Sequence, residues 1–116
     1  MLFTPVVRRK FDGTQLVATH GAYPDAARAT ARERSVPLVD MEHESALLVQ
    51  QLGPDSSRTL WLHLDAGANP NYPNGVHDDT HFNPLGARTM AGLAIDAVRS
   101  LKLGLATRLR SCAARP

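Results

Sequence analysis

Short apolar runs alternate with polar, helix-forming stretches along the 116 residues, and this alternation predicts a mixed α/β fold. The runs at 2–7 and 36–41 are rich in strand formers and predict short, buried strands. The turn dipeptide Asp12-Gly13 separates two further apolar positions and predicts a small hairpin. Residues 65–80 are polar and contain several glycines and prolines, so they predict a loop of about 16 residues.

Three segments have the composition or the periodicity of helices. Residues 25–34 follow Pro24 and are dense in helix formers, and residues 42–52 precede Gly53, which suits a helix C-terminus. The third helix is predicted from an N-cap pair, Asn83-Pro84, and ends between 101 and 105. Its apolar positions recur on one helix face: Met90, Leu93, Ala94, Ala97, Val98 and Leu101.

So few strands cannot cover both faces and both edges of a parallel sheet, which favours a piece of a larger doubly wound α/β domain. We predict a partial domain over 1–105 and a basic, disordered tail over 106–116. Residues 1–98 carry 8 basic and 11 acidic side chains, whereas five basic and no acidic residues follow. The tail is interpreted as solvated, with a phosphate-binding arm as the alternative. No aromatic residue is interleaved there for base stacking, so nucleic acid is not an expected partner.

Composition further narrows the classes of protein to which the chain can belong. With 43% hydrophobic and 21% charged residues, the chain is typical of globular proteins. No apolar run approaches the ~20 residues of a membrane span, and the first residues lack the order of a signal peptide, so no membrane partner is expected and localisation stays open. A single cysteine, Cys112, excludes an internal disulfide and a cysteine-based zinc site and is interpreted as an incidental thiol.

The candidate chemistry lies in residues 77–84, His-Asp-Asp-Thr-His-Phe-Asn-Pro. In a tight turn, a carboxylate three residues before a histidine reaches the imidazole, accepts the Nδ1 hydrogen and leaves Nε2 free as a base. We therefore predict that Asp78 pairs with His81, with His81 exposed. Asp79 is expected to point away, towards the N-terminus of the third helix.

Two other interpretations of this cluster remain open. In the first, His77, Asp78, Asp79 and His81 bind a metal, with His63 and Asp65 upstream as further ligands. In the second, Asp79 and Asn83 only cap the helix and His81 is an ordinary surface residue. The metal interpretation lacks a spaced second ligand pair, so no metal or cofactor is predicted.

The run 78–87, Asp-Asp-Thr-His-Phe-Asn-Pro-Leu-Gly-Ala, resembles the last signature block of the GDSL/SGNH esterases, in their rhamnogalacturonan acetylesterase-like branch. Further landmarks occur in the order of that branch and extend the resemblance over about 3–101. They are Thr-Pro-Val-Val-Arg-Arg-Lys-Phe-Asp at 4–12, His-Gly-Ala-Tyr-Pro at 20–24, Val-Pro-Leu-Val-Asp at 36–40 and Tyr-Pro-Asn-Gly-Val at 72–76.

The resemblance implies the C-terminal half of a flavodoxin-like α/β/α hydrolase that removes acetyl groups from polysaccharide. It implies that Asp78 is the orienting acid and that His81 is the general base and acid for a serine nucleophile. The family's G-D-S, glycine and asparagine blocks are absent from these residues, and none of the six serines has a G-D-S context. Ser56 and Ser57 are interpreted as N-terminal helix residues.

These features predict an esterase fragment that is inactive by itself and whose full-length relatives, commonly exported, act on acetylated polysaccharide. The alternative is a non-catalytic module or relic that associates with itself or with a separately encoded N-terminal half, because unpaired strand edges invite another chain. Two structural interpretations concern residues outside this cluster. Residues 8–10, Arg-Arg-Lys, form a solvated strand end, with contact to a uronate-rich substrate as the alternative, and Trp61 is a packing residue.

Overall fold

A computed structural model describes residues 1–109 and shows a mixed α/β chain of short strands and three α-helices, as predicted. In chain order the elements are β1 (Leu2–Phe3), β2 (Phe11–Asp12), β3 (Gln15–Leu16), α1 (Tyr23–Glu33), β4 (Leu38–Val39), α2 (Met41–Ser56), β5 (Trp61–Leu64), β6 (Val76–Phe82) and α3 (Pro84–Ser100). Short 3₁₀ turns over Ser57–Leu60 and Gly104–Arg108 follow α2 and α3.

Local side-chain and backbone chemistry fixes the start of α2 and α3 and the end of the regular part of α2. Asp40 precedes α2 and its side chain accepts a hydrogen bond from the backbone N–H of His43 at 3.3 Å. Inside α2, Gly53 has φ 72° and ψ 179°, a conformation that other residues rarely adopt, so the regular helix ends where predicted. Asn83 caps α3, since its Oδ1 accepts from the backbone N–H of Gly86 at 2.9 Å.

The strands form three separate two-stranded sheets within the described residues. β1 and β4 are parallel, with Leu2 opposite Leu38, and α1 lies in the connection between them. β2 and β3 form the predicted hairpin, with Phe11 opposite Leu16. β1 and β4 have two residues each, and are thus shorter than the apolar runs that predicted them.

The expected loop over 65–80 is partly wrong, because β6 covers its last five residues. β6 pairs antiparallel with β5, and His63 lies opposite His77 in this ladder. The segment shows apolar residues only at its ends, Val76 and Phe82, so no alternating pattern revealed a strand. This pair is antiparallel, unlike the parallel pair of β1 and β4.

Two apolar clusters hold the elements together, and α3 contributes to both. The first cluster contains Val7, Val49, Leu60, Trp61 and Met90; the second contains Val39, Met41 and Val98. Leu93 packs against both of them, as the predicted helix face requires. Trp61 is fully buried, with its ring centroid 5.1 Å from that of Phe82, which confirms its packing role. Leu101 departs from the predicted stripe, since it is 43% exposed at the helix end.

The chain after α3 continues into a second short 3₁₀ turn. Residues 106–108 belong to the Gly104–Arg108 turn, and Leu103, Ala106 and Leu109 pack against the second cluster. Residues 106–109 of the predicted tail thus have contacts with the fold, while residues 110–116, with Cys112, lie outside the described residues. None of the helices within 1–109 has the length and apolarity that crossing a bilayer requires.

Candidate active site

The segment Asp78–His81 forms a bulge at the end of β6. On β5, the consecutive residues Trp61 and Leu62 pair with Phe82 and Asp78, so the three residues between these partners have no counterpart. Extra residues in one strand bend it and redirect its side chains. The tight turn predicted for this segment is therefore present, although it interrupts a strand instead of closing a loop.

The Asp78 carboxylate is held by hydrogen bonds from within this bulge. Its Oδ1 accepts from the backbone N–H groups of Thr80 at 2.7 Å and His81 at 2.9 Å, and its Oδ2 lies 2.7 Å from His81 Nδ1. The bond from the His81 backbone N–H, followed by those from Thr80 and from the imidazole, lowers the pKa of Asp78 to about 2. Asp78 is therefore ionised at neutral pH and accepts the imidazole hydrogen.

The His81 imidazole is fixed by this carboxylate and otherwise faces solvent. Its side chain is 74% exposed. An Nδ1–H donated to Asp78 leaves the lone pair of the neutral imidazole on Nε2, the arrangement that a general base needs. The predicted pairing of His81 with Asp78, and not with Asp79, is confirmed; the catalytic role of the pair stays a prediction.

The predicted orientation of Asp79 towards the N-terminus of α3 is wrong. Its Oδ1 accepts from Arg9 Nη1 at 2.8 Å and lies 2.9 Å from His63 Nε2, while its backbone carbonyl accepts from the Arg9 backbone N–H at 3.0 Å. Asn83 alone makes the predicted cap of α3. The bulge therefore turns two consecutive carboxylates to different partners.

Arg9 connects the bulge to the end of α2 and was missed as a functional residue. Its guanidinium also donates to Ser57 Oγ at 3.2 Å and to the carbonyl of Pro54, and its side chain is only 15% exposed. The expected solvated strand end is thus wrong for Arg9. Seventy residues separate Arg9 from Asp79, so no local pattern signalled the pair.

Hydrogen bonds connect the N-terminus of α3 to residues 59–61, just before and at the start of β5. The Asn83 side-chain amide donates to the carbonyls of Thr59 at 2.7 Å and Trp61 at 3.0 Å, and its backbone N–H donates to Leu60 at 3.2 Å. Asn83 lies two residues after His81. These bonds therefore hold one side of the bulge rigidly, while Arg9 holds the other.

The remaining polar residues near the bulge contact one another. His63 Nδ1 lies 3.3 Å from His77 Nδ1, and Arg58 Nη2 lies 3.0 Å from the same His77 nitrogen. Within residues 1–109, no group of three or more histidine, cysteine, aspartate or glutamate side chains is arranged to hold a metal ion. His63 and His77 instead form a polar chain that ends on Asp79 at one side and on Arg58 at the other.

The buried serines serve structural roles. Ser45 is fully buried, donates to the Met41 carbonyl at 2.6 Å and accepts from the Val7 backbone N–H at 3.1 Å. Ser57 is fully buried and accepts from Arg9, and it begins the 3₁₀ turn after α2. Neither of these hydroxyls contacts His81.

A large cavity, of about 820 Å³, lies beside α1 and β4. One of its lining residues, Arg28, pairs with Asp25, Asp40 and also Glu42 at 2.8–2.9 Å. None of its lining residues belongs to the Asp78–His81 pair. Size alone therefore does not identify the site, and the chemistry points to the bulge.

Comparison with known proteins gives two curated relatives. The rhamnogalacturonan acetylesterase RhgT of Bacillus subtilis (strain 168) is 38% identical over 109 residues, which are 93% of this chain and 47% of the relative. The probable rhamnogalacturonan acetylesterase YesY of the same organism is 28% identical over 105 residues, 90% of this chain and 44% of the relative. No family model and no solved structure matches the chain.

The chain thus spans about half the length of the curated relatives it matches. Its mixed α/β architecture with a parallel strand pair agrees with part of a hydrolase domain of that kind. The resemblance found in the sequence is confirmed: the chain is a partial homologue of the rhamnogalacturonan acetylesterases, within the GDSL/SGNH family.

Proposed function

We propose that this chain provides the acid–base half of a polysaccharide O-acetylesterase, in which His81 is the general base and Asp78 orients it. The observation that carries the proposal is the 2.7 Å contact between Asp78 Oδ2 and His81 Nδ1, made by a carboxylate that two backbone N–H groups hold in place. A carboxylate so placed fixes the imidazole tautomer and stabilises the imidazolium that forms during catalysis. The half-length match to two acetylesterases supports the ester substrate.

The proposed reaction needs a serine from outside the 116 residues, because none of the six serines has the family's G-D-S context. His81 Nε2 takes the hydroxyl proton as the serine oxygen attacks the acetyl carbonyl, and it then gives this proton to the departing sugar oxygen. In the second half, His81 takes a proton from water, which attacks the acetyl-serine. The serine oxygen recovers the proton, and acetate leaves.

A complementation experiment tests the proposal. The chain is fused to the part of the RhgT relative that it does not match, and hydrolysis of 4-nitrophenyl acetate and release of acetate from acetylated rhamnogalacturonan are measured. We expect turnover by the fusion, near-background turnover by the chain alone, and a loss of about 10³-fold or more in kcat for His81→Ala. Asp78→Asn keeps the shape of the side chain but removes its charge, and it should also lower kcat by orders of magnitude.

His43→Ala is the matched control, because His43 is an exposed histidine on α2. Its fusion should retain the activity of the unmodified fusion. Activity that survives in His81→Ala, or that falls equally in His43→Ala, would show that His81 is not the base.

We also propose that the chain associates with a complementary half of the domain, which is the alternative function given above. β1 and β4 form only a two-stranded sheet, and Phe3 on β1 is 46% exposed. Such an edge favours pairing with another strand. In sedimentation experiments, the chain should self-associate or bind the complementary half of the relative. A chain that stays monomeric and does not bind that half over a wide concentration range contradicts the proposal.

A further inference from the structure

Two histidines face each other across the antiparallel pair of β5 and β6. His63 lies opposite His77 in this ladder, and their Nδ1 atoms are 3.3 Å apart. The centroids of the two rings are 5.6 Å apart, so both nitrogens lie on the sides of the rings that face each other. Neither histidine belongs to the Asp78–His81 pair. The paired strands therefore bring together two imidazole nitrogens that the proposed reaction does not use.

The hydrogen-bond partners of the two rings determine where their lone pairs lie. His63 Nε2 is 2.9 Å from Asp79 Oδ1, and an ionised carboxylate only accepts, so a neutral His63 carries its hydrogen on Nε2 and its lone pair on Nδ1. Arg58 Nη2 is 3.0 Å from His77 Nδ1, and a guanidinium only donates, so the lone pair of His77 is also on Nδ1. Two acceptors cannot form a hydrogen bond with each other, so this contact favours a cation between the rings.

The distance between the two nitrogens fits a single tetrahedral metal ion. Zinc binds imidazole nitrogen at about 2.0–2.1 Å, which places two ligand nitrogens of a tetrahedral ion about 3.3–3.4 Å apart. The two Nδ1 atoms are 3.3 Å apart. The contact of His63 with Asp79 also has the form common at metal sites, where a ligating histidine donates its other ring hydrogen to a carboxylate. Distance and hydrogen bonding therefore both agree with a metal site.

A cavity of about 380 Å³ adjoins the two histidines and provides room for a hydrated ion. Its walls include both rings and the exposed residues Asp55 and Asp65, whose two carboxylates outnumber the one guanidinium there, that of Arg58. Within residues 1–109, no group of three histidine, cysteine, aspartate or glutamate side chains is placed to hold a metal ion, so water would complete the coordination of an ion on this pair.

We propose that His63 and His77 together bind one divalent late transition-metal ion, of the class of Zn²⁺, through their Nδ1 atoms. The site goes beyond the proposed function, because it requires neither a serine nor His81. Imidazole suits the late first-row metals, whereas Mg²⁺ and Ca²⁺ prefer oxygen ligands. His77 must exchange its contact with Arg58 for the ion, and the exposed guanidinium therefore competes with the metal.

Calorimetry on the untagged full chain tests the site, with Zn²⁺ as the probe and Mg²⁺ as the comparison. We expect one Zn²⁺ per chain and no binding of Mg²⁺. His77→Ala and His63→Gln should each weaken Zn²⁺ binding by about tenfold or more, because the loss of even an indirect partner of a metal ligand costs about 10–100-fold in affinity. His63→Gln retains a side-chain N–H for Asp79. Arg58→Ala should strengthen Zn²⁺ binding, because it removes the competing cation.

His43→Ala removes an exposed histidine of α2 and is the matched control, which should retain the Zn²⁺ affinity. His81→Ala should retain it as well. Circular dichroism verifies that each variant folds, and the exposed position of His77 keeps the test available if His63→Gln unfolds.

Three results would overturn the metal site. They are a Kd of the unmodified chain for Zn²⁺ above about 1 mM, equal weakening in His77→Ala and His43→Ala, and a loss of affinity in His81→Ala with none in His77→Ala. The outcome is independent of the proposed function. An inactive fusion whose chain still binds Zn²⁺ through His63 and His77 refutes the proposed function alone, and an active fusion that does not bind Zn²⁺ refutes the metal site alone.

Discussion

Gly86 is the point of closest approach between α3 and the chain before β5, and replacing it by alanine gives a sharp test of the site's architecture. A Cβ atom at this position would lie 1.9 Å from the carbonyl oxygen of Leu60 and 3.0 Å from Cδ1 of Phe82. The nearer neighbour is constrained, because Leu60 is buried and its carbonyl accepts from the Asn83 N–H. The side chain fits only if the start of α3 moves away.

The cost follows from that movement. Contacts of real Cβ atoms below 3.0 Å are essentially never seen, so the helix end must retreat by about 1 Å, which forces strain of about 1–3 kcal/mol in a packed region. The same retreat loosens the bonds from Asn83 to the carbonyls of Thr59 and Trp61, and an impaired helix cap costs about 1 kcal/mol more. We expect Gly86→Ala to lower the free energy of unfolding by about 2–4 kcal/mol.

Gly92→Ala in the same helix is the matched control. Nothing lies within 4 Å of a Cβ built on Gly92, so alanine should stabilise the helix by about 0.5–1 kcal/mol. Urea unfolding followed by fluorescence measures both variants, since Trp61 is the one tryptophan and is fully buried. If Gly86→Ala unfolds within 0.5 kcal/mol of Gly92→Ala, the close packing of α3 on Leu60 is refuted.

Two further predictions concern charged groups. The bidentate contact with Arg28 lowers the pKa of Asp40 to about 2 from an ordinary 3.8. Because the folded pKa is the lower one, Asp40 stabilises the fold above about pH 3.8, and this contribution disappears as the pH falls towards 2. Asp40→Asn, which retains an N-cap for α2, should flatten the loss of unfolding free energy between pH 4 and 2; an unchanged slope contradicts this. Arg9→Lys keeps the charge but cannot bridge Asp79, Ser57 and Pro54 together, so urea unfolding should show a loss of about 1–3 kcal/mol, and a wild-type midpoint contradicts the bridging role.

The parts of the fold that could be predicted are those whose causes are local. The cap of α3 joins Asn83 to Gly86, three residues apart, and the Asp78–His81 contact has the same spacing. The hairpin from Phe11 to Leu16 follows from its turn dipeptide in the same way. In each case the groups that interact lie within one turn of chain, so residue type and spacing suffice.

The missed parts depend on residues far apart in the chain. β6 is a strand because its backbone bonds to β5, while its polar side chains show no pattern of burial. The partners of Asp79 are Arg9, in the connection between β1 and β2, and His63 on β5. No spacing rule identifies such a pair, since tertiary packing alone brings the segment 8–10 to the bulge.

The two adjacent aspartates of the bulge show that local and distant interactions determine the positions of different side chains in one segment. Asp78 and Asp79 are chemically identical, yet the backbone N–H groups of Thr80 and His81 reach only Asp78, and they hold it ionised beside the imidazole. Asp79 instead compensates the charge of Arg9, whose guanidinium is largely buried. Removing the Asp79 carboxylate would leave that charge unpaired and release the bulge on one side. The orientation of His81 therefore depends on both carboxylates, with one in direct contact and the other acting through the backbone that joins them.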